Sequence, residues 1–192
     1  MHRFSFARIL VPLLTLVLVL LLPSCAAQDP FAYAQNSFSV SVRGAYTPAG
    51  STDPRPFAAT VTIGPPVDGD PIRRDLTVTF TAPDALAGLT VTASLPPDGA
   101  GGRTVTFLYP SAYGDIRATA VGEEFDGFLR FAEALLPLGD VVEVSPVARD
   151  GSYTVTRRSA GREAVFTFAE GSLPLRVTVT TPAEVLTLTV SP

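Results

Sequence analysis

From residue 38 to the C-terminus, oily side chains fall on alternate positions, which restricts the chain to strands with one dry face. Phe38, Val40 and Val42 begin the pattern, and Val61 with Ile63 continue it. Leu76, Val78 and Phe80 follow, then Leu89, Val91 and Ala93, then Val105 and Phe107. After an interruption come Tyr153 and Val155, Phe166 and Phe168, Leu175, Val177 and Val179, and Leu186, Leu188 and Val190. Threonines fill many positions between, among them Thr60, Thr62, Thr77, Thr79, Thr90, Thr92, Thr187 and Thr189. Threonine is β-branched and tolerates water, so it suits the wet face of a sheet.

The spacers are short and rich in turn formers. Residues 96–102, Asp150-Gly151 and residues 159–162 read as turns, and short connections favour antiparallel neighbours. Two longer polar stretches, 47–56 and 65–71, read as mobile loops within one domain.

One segment follows a different period. Over 123–137, Phe125, Phe128, Leu129, Ala132, Leu135 and Leu136 keep helical spacing, with Glu124, Arg130 and Glu133 off that stripe. Pro137 and Gly139 mark its stop. A second, short helix is expected from Asp29 as N-cap, with Pro30 in the first turn, through Gln35. The order is therefore a short helix, about five strands, one apolar helix and about five strands. A two-layer sandwich does not need so oily a helix, whereas a single sheet curled around it does. The expectation is an α+β chain, mostly antiparallel β: a curved half-open barrel with one main covering helix and a short N-terminal helix.

The first 24 residues stand apart. His2, Arg3 and Arg8 give a positive head, and 9–22 is an apolar run of signal-peptide length, short of the roughly 20 residues a spanning helix needs. Leu22-Pro23-Ser24-Cys25 resembles a bacterial lipobox, in which the cysteine takes the lipid; Leu22 and Ser24 fit, and Pro23 departs from it. Cys25 is the single cysteine of the chain. The expectation is a lipoprotein signal peptide over 1–24, a lipidated tether over 25–36 and a single domain over 37–192. Ordinary secretion, with cleavage after residues 25–27, is the alternative. Acyl chains add about 0.8 kcal/mol per buried methylene, enough to hold a domain on the outer face of the bacterial cytoplasmic membrane.

Composition excludes several kinds of chemistry. All 14 basic residues are arginines. Beyond residue 24, twelve arginines face 18 acids, so no nucleic-acid partner is expected. Beyond Cys25 there is no histidine, cysteine or lysine, which removes Ser-His-Asp and Cys-His sites, Schiff bases and histidine-bearing zinc sites. Carboxylates remain. Glu123 and Glu124 diverge as neighbours on a helix, while Asp68, Asp70 and Asp84 stand at turn positions. The glycine-rich 99–102 precedes no helix and reads as a hairpin loop rather than a phosphate cradle. Arg73-Arg74 and Arg157-Arg158 read as solvated charge, each pair divided between two faces. No enzyme activity, cofactor or metal is expected.

The order of elements resembles the LolA-like fold, a half-open antiparallel barrel whose concave apolar face is covered by helices. Residues 38–42, 76–91 and 173–177 resemble small LolA-like lipoproteins of Gram-positive bacteria, a group that includes the spore-germination lipoprotein GerS. The long first helix usual in the carrier members is missing or much shortened here. The resemblance implies a tethered, non-catalytic binding or scaffolding domain for another envelope protein, such as a peptidoglycan-modifying enzyme. The alternative is a carrier or sensor of a lipid or other amphiphile in a cavity lined by Phe80, Val91, Phe107, Phe125, Phe128, Leu129, Phe166 and Phe168. A contiguous apolar pocket above about 300 Å³ separates the two readings.

Overall fold

The computed structural model describes residues 29–70, 72–95, 103–121, 127–169 and 173–192. The signal segment, Cys25, Glu123, Glu124 and Phe125 lie outside the described residues. Among the described residues the strands form two meanders. The first is β1 (Phe38–Pro48), β2 (Arg55–Ile63), β3 (Leu76–Ala82), β4 (Thr90–Ser94), β5 (Thr104–Tyr109) and β6 (Ile116–Val121). The second is β7 (Asp140–Val144), β8 (Tyr153–Ser159), β9 (Arg162–Phe168), β10 (Arg176–Thr180) and β11 (Glu184–Ser191). Antiparallel pairing of β1 with β11 joins them into one sheet in the order β6-β5-β4-β3-β2-β1-β11-β10-β9-β8-β7. The sheet is curved but not closed, with β6 and β7 as its edges.

Register puts the alternating residues on one face. Val40 lies opposite Val61, Val61 opposite Val78 and Val78 opposite Val91, and all four are at most 2% exposed. In the other meander Leu188, Val177, Phe166 and Val155 continue the dry face in the same way. Threonines line the opposite face, where hydroxyls meet across strands: Thr79 with Thr90 at 3.1 Å and Thr77 with Thr92 at 3.4 Å. Gly44 lets β11 approach β1. A Cβ there would lie 2.2 Å from the Thr187 carbonyl oxygen and 2.9 Å from Leu188 Cδ2.

The expected covering helix is not formed. Within 127–137 the α-helix is a single turn, α1 (Arg130–Glu133), flanked by turns. Local sequence gives the reason. Gly127 weakens one end, and Pro137 with Gly139, at φ +85°, stops the other, so the amides of Ala132 to Leu136 bond three or four residues back in a short helical stretch instead of a long helix. The apolar stripe still does the covering. Leu129, Phe131, Ala132, Ala134, Leu135 and Leu136 are all buried.

The end of this short helical stretch leaves carbonyl groups that need partners. Arginines supply them. Arg162 donates to the Leu138 and Glu133 carbonyls at 3.4 and 3.5 Å, and Arg157 donates to the Gly139 carbonyl. Gly139, at φ +85°, has the Arg158 carbonyl oxygen 2.5 Å from where a Cβ would stand.

The expected N-terminal helix is a 3-10 turn, Ala32–Gln35, preceded by an Asp29 carboxylate that accepts from the Phe31 N–H at 2.9 Å. Its side chains plug the dry face under the second meander. Phe31 meets Phe166 and Phe168 edge-on at 5.1 and 5.5 Å, and Tyr33 is buried beside Phe38. Arg74, 2% exposed, donates to the carbonyls of Ala34 and Gly64. The expected solvated arginines are thus corrected. Arg73 pairs at the surface with Asp68 at 2.8 Å and Arg158 pairs with Glu163, but Arg74 is buried and Arg157 lies over the Phe31 ring. In each case a carbonyl acceptor is what draws the guanidinium inward.

Candidate functional site

The dry face is filled in one half and open in the other. Under β8 and β9 the plug of Phe31 and Tyr33 closes it. Under the far ends of β1, β2 and β3 a cleft of about 360 Å³ remains. Tyr46 near the end of β1, Arg55, Pro56 and Phe57 at the start of β2, and Phe80 near the end of β3 form one side. Pro83 and Leu86 come from the β3–β4 connection, and Gly127, Phe128, Arg130 and Phe131 from the crossover.

Aromatic rings set its shape. Phe131 sits 4.3 Å from Phe57 and 5.6 Å from Phe80, centroid to centroid, and is almost wholly buried. Phe128 meets Phe80 at 6.4 Å and Phe107 at 5.5 Å, both edge-on, and is 37% exposed. Tilted and edge-to-face arrangements let rings pack while leaving a gap between them.

Charge is confined to two arginines. The Arg130 guanidinium lies 4.8 Å over the Tyr46 ring and 5.2 Å over the Phe131 ring, and its Nη1 donates to Glu184 Oε2 at 2.6 Å. Its Nε is buried without a hydrogen-bond partner. Arg55 is exposed; its Nη1 donates to the Tyr46 hydroxyl at 3.0 Å. A second depression of about 560 Å³ runs from Pro56, Phe57 and Pro83 towards Arg43, Ala58 and Thr81, and its lining is more polar. Among the described residues no group of three or more His, Cys, Asp or Glu comes together.

The residues expected to line one cavity are divided by the structure. Phe80 and Phe128 line the cleft, and Phe107 supports Phe128 from behind. Val91 and Leu129 are fully buried in the core. Phe166 and Phe168 belong to the plugged half, and Phe125 lies outside the described residues. Tyr46, Arg55, Phe57, Pro83, Leu86 and Arg130 were not anticipated. The alternation carried the signal for two of them. Val40, Val42, Gly44 and Tyr46 run along one face, as do Phe57, Ala59, Val61 and Ile63, but Gly44 and Ala59 interrupt the oily pattern.

No protein-family model matches the chain, and no curated protein matches it. Solved structures similar to it include a LolA superfamily protein from Nitrosomonas europaea, at 14% identity over 86% of this chain and 91% of that one, with a TM-score of 0.42. A DUF1329 family protein from Desulfovibrio piger is similar at 13% identity, over 85% and 86% of the two chains, with a TM-score of 0.44. A Vibrio parahaemolyticus domain described as a candidate outer membrane lipoprotein-sorting protein is similar at 11% identity, over 86% and 88%, with a TM-score of 0.39.

Proposed function

We propose that this chain is a membrane-tethered, non-catalytic lipoprotein of the bacterial envelope that takes the apolar part of an amphiphile into the cleft, as a carrier or sensor. The observation that carries the reading is the cleft itself: about 360 Å³ and walled by four phenylalanines. A purely structural domain closes such gaps, because native interiors pack densely.

Kinship with the small Gram-positive LolA-like lipoproteins belongs to the same reading.

The test is mass spectrometry of the chain recovered from its own membrane. Wild type should carry a stoichiometric amphiphile, and Leu86→Trp, which fills the cleft, should lose it. A wild-type chain that neither carries nor takes up an amphiphile overturns the reading. The same spectra should show acyl groups on Cys25, and a Cys25→Ala chain that stays membrane-bound overturns the anchor.

A second reading, a scaffold for another envelope protein, draws on β7. This edge strand is exposed along its whole length, with Val141, Val142 and Val144 each about half exposed or more. Such an edge can accept a strand from a partner. Crosslinking in the native envelope through residue 142 should then capture a protein, and capture of none removes this reading.

A further inference from the structure

The two cations of the cleft differ in one respect: Arg130 is neutralised by Glu184, whereas Arg55 has no acidic partner among the described residues. What Arg55 has is Tyr46. Its Nη1 donates to the phenol oxygen at 3.0 Å and its guanidinium carbon lies 5.6 Å from that ring's centroid. Because the phenol oxygen accepts from Arg55, the phenol proton is left to be donated elsewhere. Most of the guanidinium N–H fork is likewise unused, and Arg55 is exposed. Both donors therefore stand together at the rim of an otherwise apolar cleft.

Charge limits the occupant. The cleft, about 360 Å³ and open to solvent, has room for hydrocarbon between its four phenylalanines. A single unpaired guanidinium balances one negative charge and fits a planar carboxylate with two parallel hydrogen bonds. A phosphate monoester carries about −1.5 to −2 at neutral pH and would be left partly uncompensated. We infer that Arg55 and Tyr46 form a headgroup site, and that the occupant is a carboxylate amphiphile. Its acid group sits on Arg55 and its tail lies among Phe57, Phe80, Phe128 and Phe131. This assignment rests on the amphiphile reading above and adds the headgroup to it.

The experiment compares dodecanoate with dodecanol, an uncharged chain of the same length, by calorimetry at pH 8 on the whole exported chain carrying Cys25→Ser. Dodecanoate should bind more tightly by about tenfold or more, since a charge-assisted pair is what distinguishes the two. Arg55→Gln should remove that preference, and the dodecanol affinity of the same variant reports whether its cleft is intact. Tyr46→Phe, which keeps the ring, should reduce the preference in part. Equal binding of the two ligands to wild type, or a preference that survives Arg55→Gln, overturns the headgroup site while the amphiphile reading stands. Binding of neither ligand overturns both.

Discussion

The Tyr33 hydroxyl donates a 2.6 Å hydrogen bond to the backbone carbonyl of Leu135, tying the N-terminal turn to the crossover over 102 residues of sequence. Both partners are buried, and each belongs to a segment with little regular structure of its own. Neither segment could cover the sheet alone. The α-helix of the crossover is a single turn, and the N-terminal turn is four residues long. Side-chain donors from the sheet and from Tyr33 hold them in place, so the filled half of the dry face is a polar scaffold around an aromatic plug.

Removing that hydroxyl should be felt directly. Tyr33→Phe leaves a buried carbonyl without a partner and should cost about 1–3 kcal/mol in urea unfolding. The pH dependence follows from burial, which pushes the Tyr33 phenol above its ordinary value, only partly offset by the Arg157 and Arg74 guanidiniums. A raised folded-state value means that the contribution is complete below the unfolded value of about 10 and is lost as pH rises beyond it. The stability gap between wild type and Tyr33→Phe should therefore narrow above about pH 10. A gap that widens there would contradict the assignment.

Gly44 makes a sharper prediction about the junction of the two meanders. Gly44→Ala forces a methyl against the Thr187 carbonyl oxygen and the Leu188 side chain. The backbone cannot yield without disturbing β1–β11 pairing, so a loss of at least about 1–3 kcal/mol is expected. The check is the urea midpoint, with hydrogen exchange of the Thr187 and Thr189 amides to locate the damage. Wild-type stability in Gly44→Ala would mean that β11 is not seated as described.

The sheet was legible because its inner strands alternate cleanly. Nine of the eleven strands contain the oily residues that announced them. β6 and β7 were missed for one shared reason: they are the edges. Ile116 is 61% exposed, and β7 is exposed along its whole length, so neither needs an oily alternation. The stripe marked Leu129, Ala132, Leu135 and Leu136, which are buried, but the single covering helix it implied is one turn long, because periodicity reports which residues turn inward and not how long a helix they form. Arg74 and Arg157 were misplaced because a carbonyl waiting to be bonded leaves no mark in sequence. The cleft was only half legible: Phe80 and Phe128 were named from the pattern, while Arg55 lay in a stretch read as a loop.

Phe31 gives a prediction about the plugged half. Its ring contacts Phe166 and Phe168 and lies 5.0 Å beneath the Arg157 guanidinium. Phe31→Ala should cost about 3–5 kcal/mol, the range for deleting a buried aromatic ring. It should also create a second apolar cavity beside β9, visible as new binding of a fluorescent hydrophobic dye by the folded chain. Unchanged stability would show that the N-terminal turn does not dock in solution.

Glu184 separates the structural and ligand-facing roles of Arg130. The two side chains meet at 2.6 Å, with Glu184 14% and Arg130 36% exposed, so solvent screens the pair only in part. Glu184→Gln leaves the Arg130 charge without its carboxylate, against the Tyr46 and Phe131 rings, and should lower stability by about 1 kcal/mol. The same change adds a second unneutralised cation to the cleft wall. Dodecanoate should then bind several-fold more tightly, dodecanol should be unaffected, and added salt should erase the gain within a Debye length of about 10 Å at 0.1 M. Stability and affinity should move in opposite directions, which mere loosening of the wall cannot produce. If stability falls with no change in dodecanoate affinity, Arg130 is only a wall of the cleft and its field does not reach the ligand's acid group.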